Sequence, residues 1–203
     1  MKKKKKVFSS NEKIRLGTLI LFMFLFKDIY AVALIIWLTL FSLVNETGME
    51  EEMKSIYIYL IPDSSAKKMF YTLLIPFIKT AMILVLPLVV HLLFSGPPLF
   101  LWLKVTLVLF SFLMVFFVGN LLAIRWLKDR NNLLTKGLIR YMVMLTACVP
   151  ILLILGGMYI LNPPLLENIT LIASVLIICN VLTASIGGYF CLDLLNGNGL
   201  YSE

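Results

Sequence analysis

Long apolar runs separated by short polar breaks organise this chain. Four runs are long enough to be bilayer helices, at residues 70–94, 99–124, 138–161 and 165–192. The hydrocarbon core of a bilayer, about 30 Å thick, is crossed by about 20 apolar residues rising 1.5 Å each. The first two runs meet at Ser95-Gly96-Pro97-Pro98 and the last two at Asn162-Pro163-Pro164. Breaks this short and this rich in helix breakers predict two helical hairpins. The fold class expected is all-α, a polytopic transmembrane helix bundle.

A fifth region, Leu16 to Val44, is apolar but broken by Lys27-Asp28 after a run of 11 residues. It is either one long helix with a charged pair in mid-membrane or two short spans turning at that pair. Charge favours the second. Lys2 to Lys6, Lys13 and Arg15 precede the region. Lys67 and Lys68 end the loop that starts at Glu46, and Arg125, Lys128, Arg130, Lys136 and Arg140 mark the loop between the second and third clear runs. Positive loops stay in the cytoplasm. An amino-terminal tail on the same side requires an even number of crossings before Glu46, so six spans are expected. The Lys-rich start and Ala31-Val32-Ala33 also have the outline of a signal peptide. The charged pair ahead of that site and the apolar run continuing past it argue for retained helices. The expected order is a basic cytoplasmic tail over 1–15, a transmembrane hairpin over 16–44 and a cytoplasmic coupling loop over 45–69. A four-helix membrane region over 70–192 and a cytoplasmic tail over 193–203 complete it.

Composition agrees. Hydrophobic residues make up 61% of the 203 and charged residues 14%, against about 45–50% and about 25% in soluble domains. The formal charge of +7 would suggest nucleic acid if it were spread over a surface, but its clustering between apolar runs marks topology, and no nucleic-acid partner is expected. Cys148, Cys179 and Cys191 lie in or at the end of apolar runs without metal spacing and read as small helix residues.

Catalytic motifs are missing from the sequence. His91 is the single histidine, and there is no GxSxG, GxxxxGK[ST] or HExxH. Glu51-Glu52 lacks the arginine that an intramembrane metalloprotease of the Glu-Glu type would need. The chain is therefore not expected to be an enzyme or to hold a cofactor. His91 reads either as a polar residue lining a transport path or as a helix residue at the outer interface beside the Ser95 turn. A charge in hydrocarbon costs about 3 kcal/mol unless it snorkels or faces a wet cavity. Lys104 is expected to snorkel outward, whereas Lys79, deeper in its run, either snorkels or lines the bundle as part of a transport path.

The stretch from Glu50 to Tyr71 is the most informative. Met53, Ile56, Tyr57 and Leu60 fall at helical spacing and give one apolar face to a charged segment. Pro62 ends that piece, and Asp63 or Ser64 can cap a new helix that carries Lys67 and Lys68 into the membrane at Phe70. Such a segment is either an interfacial helix or a coupling element for a cytoplasmic partner. In the second case Met53, Ile56, Tyr57 and Tyr59 are anchors, and Pro62, Asp63, Lys67 and Lys68 complete the docking surface.

Tyr59-Leu60-Ile61-Pro62-Asp63-Ser64, followed by Lys67, Phe70-Tyr71 and Lys79, resembles the signature of a bacterial ABC exporter membrane-subunit family related to type-two ABC permeases. Gly119-Asn120-Leu121-Leu122 and Lys136-Gly137 are similar to that family at corresponding places, and the resemblance runs over roughly residues 46–192. It implies a multi-pass permease of the bacterial cell membrane with no ATPase of its own. A separate ATP-binding subunit would dock on residues 50–69, and a second permease half would complete a homo- or hetero-dimer. Members of that family are longer, so a half-length form, a carboxyl-terminal half or a fragment is expected. Another class also fits: a non-transporting accessory or immunity protein that binds a partner in the bilayer. A secondary transporter is disfavoured, because neither an inverted repeat nor an acidic intramembrane residue is present.

Overall fold

The computed structural model describes residues 10–45, 64–126, 133–161 and 168–192. All its regular elements are helices: α1 (Ser10–Leu25), α2 (Ile29–Asn45), α3 (Ser65–Ser95), α4 (Leu99–Trp126), α5 (Leu133–Leu161) and α6 (Ile169–Cys191). In lipid each backbone N–H and C=O must be satisfied within the protein, which a helix does with its own atoms. Four of the six, α3 to α6, are long and apolar enough to cross a membrane. The 16 residues of α1 and 17 of α2 fall short of the about 20 that a full crossing takes.

Helix boundaries follow local chemistry more than hydropathy. Lys27-Asp28 breaks the first apolar region as expected, because Asp28 caps α2. Its carboxylate accepts from Tyr30 N at 3.2 Å and Ala31 N at 3.4 Å. Gly96 ends α3 in the left-handed conformation (φ 56°) while its N–H donates to Leu92 O, a termination that glycine makes without steric cost. At the fourth run the expected start at Leu165 is displaced. The helix begins at Ile169, because the Asn168 side chain accepts from Thr170 N and Leu171 N. At the third run the helix starts at Leu133, before the apolar stretch, since polar residues at a membrane boundary do not stop a helix. The Asp63-or-Ser64 cap is corrected in part. Ser64 occupies the N-cap position of α3, but its hydroxyl makes no capping bond, and Asp63 lies outside the described residues.

Contacts between helix ends fix an alternating up-and-down order. Arg15 Nη1 donates to Ser42 Oγ at 3.0 Å, which sets the start of α1 beside the end of α2. Phe24 and Phe94 meet with ring centroids 4.6 Å apart, placing the ends of α1 and α3 together. Lys104 Nζ donates to Thr170 Oγ1 at the starts of α4 and α6, and Arg125 donates to Phe190 O at their ends. Ala123 and Val143, with Ile139 against them, bring the start of α5 to the end of α4. One end of the bundle thus carries the α1–α2 and α3–α4 turns, and the other carries the basic residues of the helix ends.

α4 is the centre. Its apolar window is 61% buried, against 33% in α3, 19% in α5 and 11% in α6. Phe116, wholly buried, stacks obliquely on Trp37 of α2 with centroids 6.0 Å apart, while Phe117 meets Phe77 of α3 edge-on at 5.6 Å. Along the other flank α6 comes so close that a Cβ on Gly187 would lie 2.5 Å from Val118 Cγ1.

Candidate functional site

The basic end gathers the groups that could meet a cytoplasmic partner. Among the described residues Lys13 and Arg15 of α1, Lys67 and Lys68 of α3 and Arg125 of α4 lie there. Lys67 is exposed and Lys68 half-buried in the first turn of α3, where the positive helix dipole opposes cations. An anionic surface brought in front of them, of lipid phosphates or acidic side chains, would offset that cost. Met53, Ile56, Tyr57, Tyr59, Pro62 and Asp63 lie outside the described residues, so the docking face expected from sequence is represented by Lys67 and Lys68 alone.

Within the membrane the inward stripe of α3 carries the buried polar residues Thr72, Thr80 and His91, while Ser111 and Asn120 are buried on α4 and Asn180 on α6. Thr72, Pro76, Thr80, Ile83, Leu84, Pro87, Leu88 and His91 are the buried residues of α3, the i, i+3/i+4 spacing of one face. Two internal prolines withhold backbone donors. Thr80 Oγ1 bonds Pro76 O at 2.9 Å and Thr72 Oγ1 bonds Lys68 O at 2.8 Å, so these hydroxyls satisfy themselves on their own helix. Lys79 stands at the edge of this stripe, half-buried, about 21 Å along α3 from Ser65 at 1.5 Å per residue.

His91 is at the turn end, next to the Ser95 turn, and is fully buried. Its Nε2 lies 3.2 Å from Lys27 O. A carbonyl only accepts, so Nε2 carries the proton and donates. Among the described residues Nδ1 has no hydrogen-bond partner. The ring ties α3 to the break between α1 and α2. Trp102 makes a second clamp, Nε1 donating to Leu88 O at 2.9 Å. Lys104 is near the turn end, as snorkelling requires, with its ammonium 3.9 Å from the Phe100 ring centroid.

Sequence reasoning missed one polar contact at the middle of the bundle. Asn180 of α6, wholly buried, donates from Nδ2 to Ser111 Oγ of α4 at 2.7 Å, and Ser111 Oγ donates on to Val108 O at 2.7 Å. The available signal was a lone Asn inside a 23-residue apolar helix, since such residues face the protein interior. All three cysteines are free and helical.

Comparison with curated proteins and with solved structures gives no match. A family model does match, over residues 1–197, and its description is "Putative ABC exporter". The match takes in the first two helices as well as the 46–192 stretch that carries the resemblance in sequence. A multi-pass helical membrane protein of this architecture, matched along nearly its whole length, belongs to the "Putative ABC exporter" family.

Proposed function

We propose that the chain is the permease component of an ABC-type exporter, without an ATPase of its own and driven by a separate ATP-binding subunit docked on residues 50–69. The family match over residues 1–197 carries this reading. Two further features support it. These 203 residues hold no GxxxxGK[ST] motif, which fits ATP hydrolysis by a separate subunit. The segment between α2 and α3 also connects at the basic end of the bundle, from which α3 runs as one 31-residue helix that could carry a displacement into the membrane. Catalytic groups and cofactors belong to the partner in this scheme, and a second permease half, the same chain or another, completes the transport path with Lys79 near it. The bilayer is the bacterial cell membrane, with the basic end cytoplasmic.

Docking rests on Met53, Ile56, Tyr57 and Tyr59 as apolar anchors and on Pro62, Asp63, Lys67 and Lys68 at the rim, the arrangement of ordinary interfaces. Replacing Met53 and Tyr57 by Ala is expected to remove retention of the ATP-binding subunit in a pull-down and to abolish ATP-driven transport. Membrane insertion and the detergent-extracted fold should be unchanged. Unchanged retention together with unchanged transport defeats the docking assignment. A non-transporting accessory protein would instead purify without any ATP-binding subunit.

A further inference from the structure

We infer that the open-sided groove between α2, α4 and α6 is a binding site for an anionic phospholipid, its phosphate held by Lys104. The groove has a volume of about 430 Å³, within the about 300–1,000 Å³ of ligand sites. Leu34 and Trp37 of α2, Val108 and Phe112 of α4 and Leu176 of α6 line it, and Lys104 is the single charged residue in its wall. The charge sits at one extremity. From Lys104 to Phe112 is eight residues of α4, about 12 Å, so the groove spans less than half of a hydrocarbon core about 30 Å thick. That is the depth of one leaflet. A cation at the head, an apolar trough below it and an open side toward the membrane are the counterpart of one lipid, head and acyl chain.

The head of the site is built for an anion. Lys104 Nζ is placed by its bond to Thr170 Oγ1 and by the Phe100 face, and an ammonium has three donors, of which Thr170 takes one. No ion pair to Lys104 is present among the described residues. Tyr30, half-exposed in the wall of the same groove, adds a phenol of the kind that sits among lipid headgroups. A second copy of the chain is a poorer occupant. Two such grooves facing each other across a two-fold axis would oppose Lys104 to Lys104.

Trp37 in the trough provides a probe. A protein carrying Trp102→Phe and Trp126→Phe, leaving Trp37 as its single tryptophan, is placed in neutral detergent micelles and titrated with lipids brominated on the acyl chain, which quench on contact. Brominated phosphatidylglycerol is expected to quench Trp37 at about one-fifth the mole fraction needed with phosphatidylcholine, the preference one cation gives for an anionic lipid. Lys104→Met should remove the preference, Lys104→Arg should keep it, and Lys27→Gln, which removes an exposed cation at the same end, should leave it intact. Native mass spectrometry of the protein with all three tryptophans, with and without Lys104→Met, repeats the comparison free of the tryptophan replacements. Equal quenching by the two lipids would overturn the assignment, as would a preference that survives Lys104→Met. Trp37 shielded from both lipids in a dimeric particle would overturn it too and hand the groove to a second copy.

Discussion

Gly187 shows how finely the packing is set at single residues. A methyl group there would meet Val118 Cγ1 at 2.5 Å, whereas at Gly188 nothing lies within 4 Å. Valine in a helix has essentially one χ1 rotamer and cannot swing aside. Gly187→Ala is therefore expected to destabilise the bundle by about 1–3 kcal/mol in detergent unfolding, Gly188→Ala to change little, and Val118→Ala to rescue the first. A clash-free Gly187→Ala would show that α4 and α6 are further apart than described. The Asn180–Ser111 bond calls for a smaller effect, because polar contacts between membrane helices are worth about 0.6 kcal/mol on average and at most about 1.7. A double-mutant cycle of Asn180→Ala and Ser111→Ala should give a coupling in that range, and strict additivity would deny the bond. Gly187 does not stand out by hydropathy from its neighbours, and Asn180, which does as the one amide in α6, carries no sign of the partner it meets. Which way each faces was decided by α4, a helix some 70 residues earlier in the chain.

Caps decide where elements begin. Asp28 holds the first turn of α2 through two backbone N–H groups, and its position next to Lys27 made the break legible in the sequence as a charged pair. Asp28→Ala should cost about 1 kcal/mol, and Asp28→Asn or Asp28→Ser less, since either restores an acceptor. An unfolding midpoint indifferent to all three would mean that packing alone sets the break. The capping role of Asn168 was equally readable, yet apolar content drew the expected start of α6 to Leu165. Hydropathy finds the middle of a membrane helix and capping finds its ends. The His91 ring, by contrast, was located correctly near its turn but not its burial, because the Lys27 carbonyl it meets lies 64 residues away.

At the scale of the whole molecule the helix ends sort by charge. The end bearing Lys13, Arg15, Lys67, Lys68 and Arg125 should face the cytoplasm, and the end bearing Lys27 and Lys104 the outside. Cysteines introduced singly at positions 28 and 96, in a chain cleared of its native cysteines, are expected to react with an impermeant thiol reagent from outside. A cysteine at position 130 should react only after the cells are opened. Reaction at 130 in intact cells would invert the bundle, and failure at 28 with success at 96 would leave the short α1–α2 pair embedded from one side.

The sequence by itself determined that this is a bundle of membrane helices, where four of them lie, that a charged break divides the first apolar region, and which ends are basic. Each of these depends on free energies of transfer and capping that act within one segment. Only the tertiary structure decided that α4 is the central helix, that α6 lies along it at Gly187, and that His91 closes on the α1–α2 break. In a soluble protein the period of hydrophobic residues would have marked the buried faces. Here lipid is as apolar as the protein core, so the outward and inward faces of α4 and α6 are both built from Leu, Ile, Val and Phe, and the pattern along the chain is silent about which is which. Small residues, buried hydroxyls and one pair of amide and serine made that choice through contacts across the bundle.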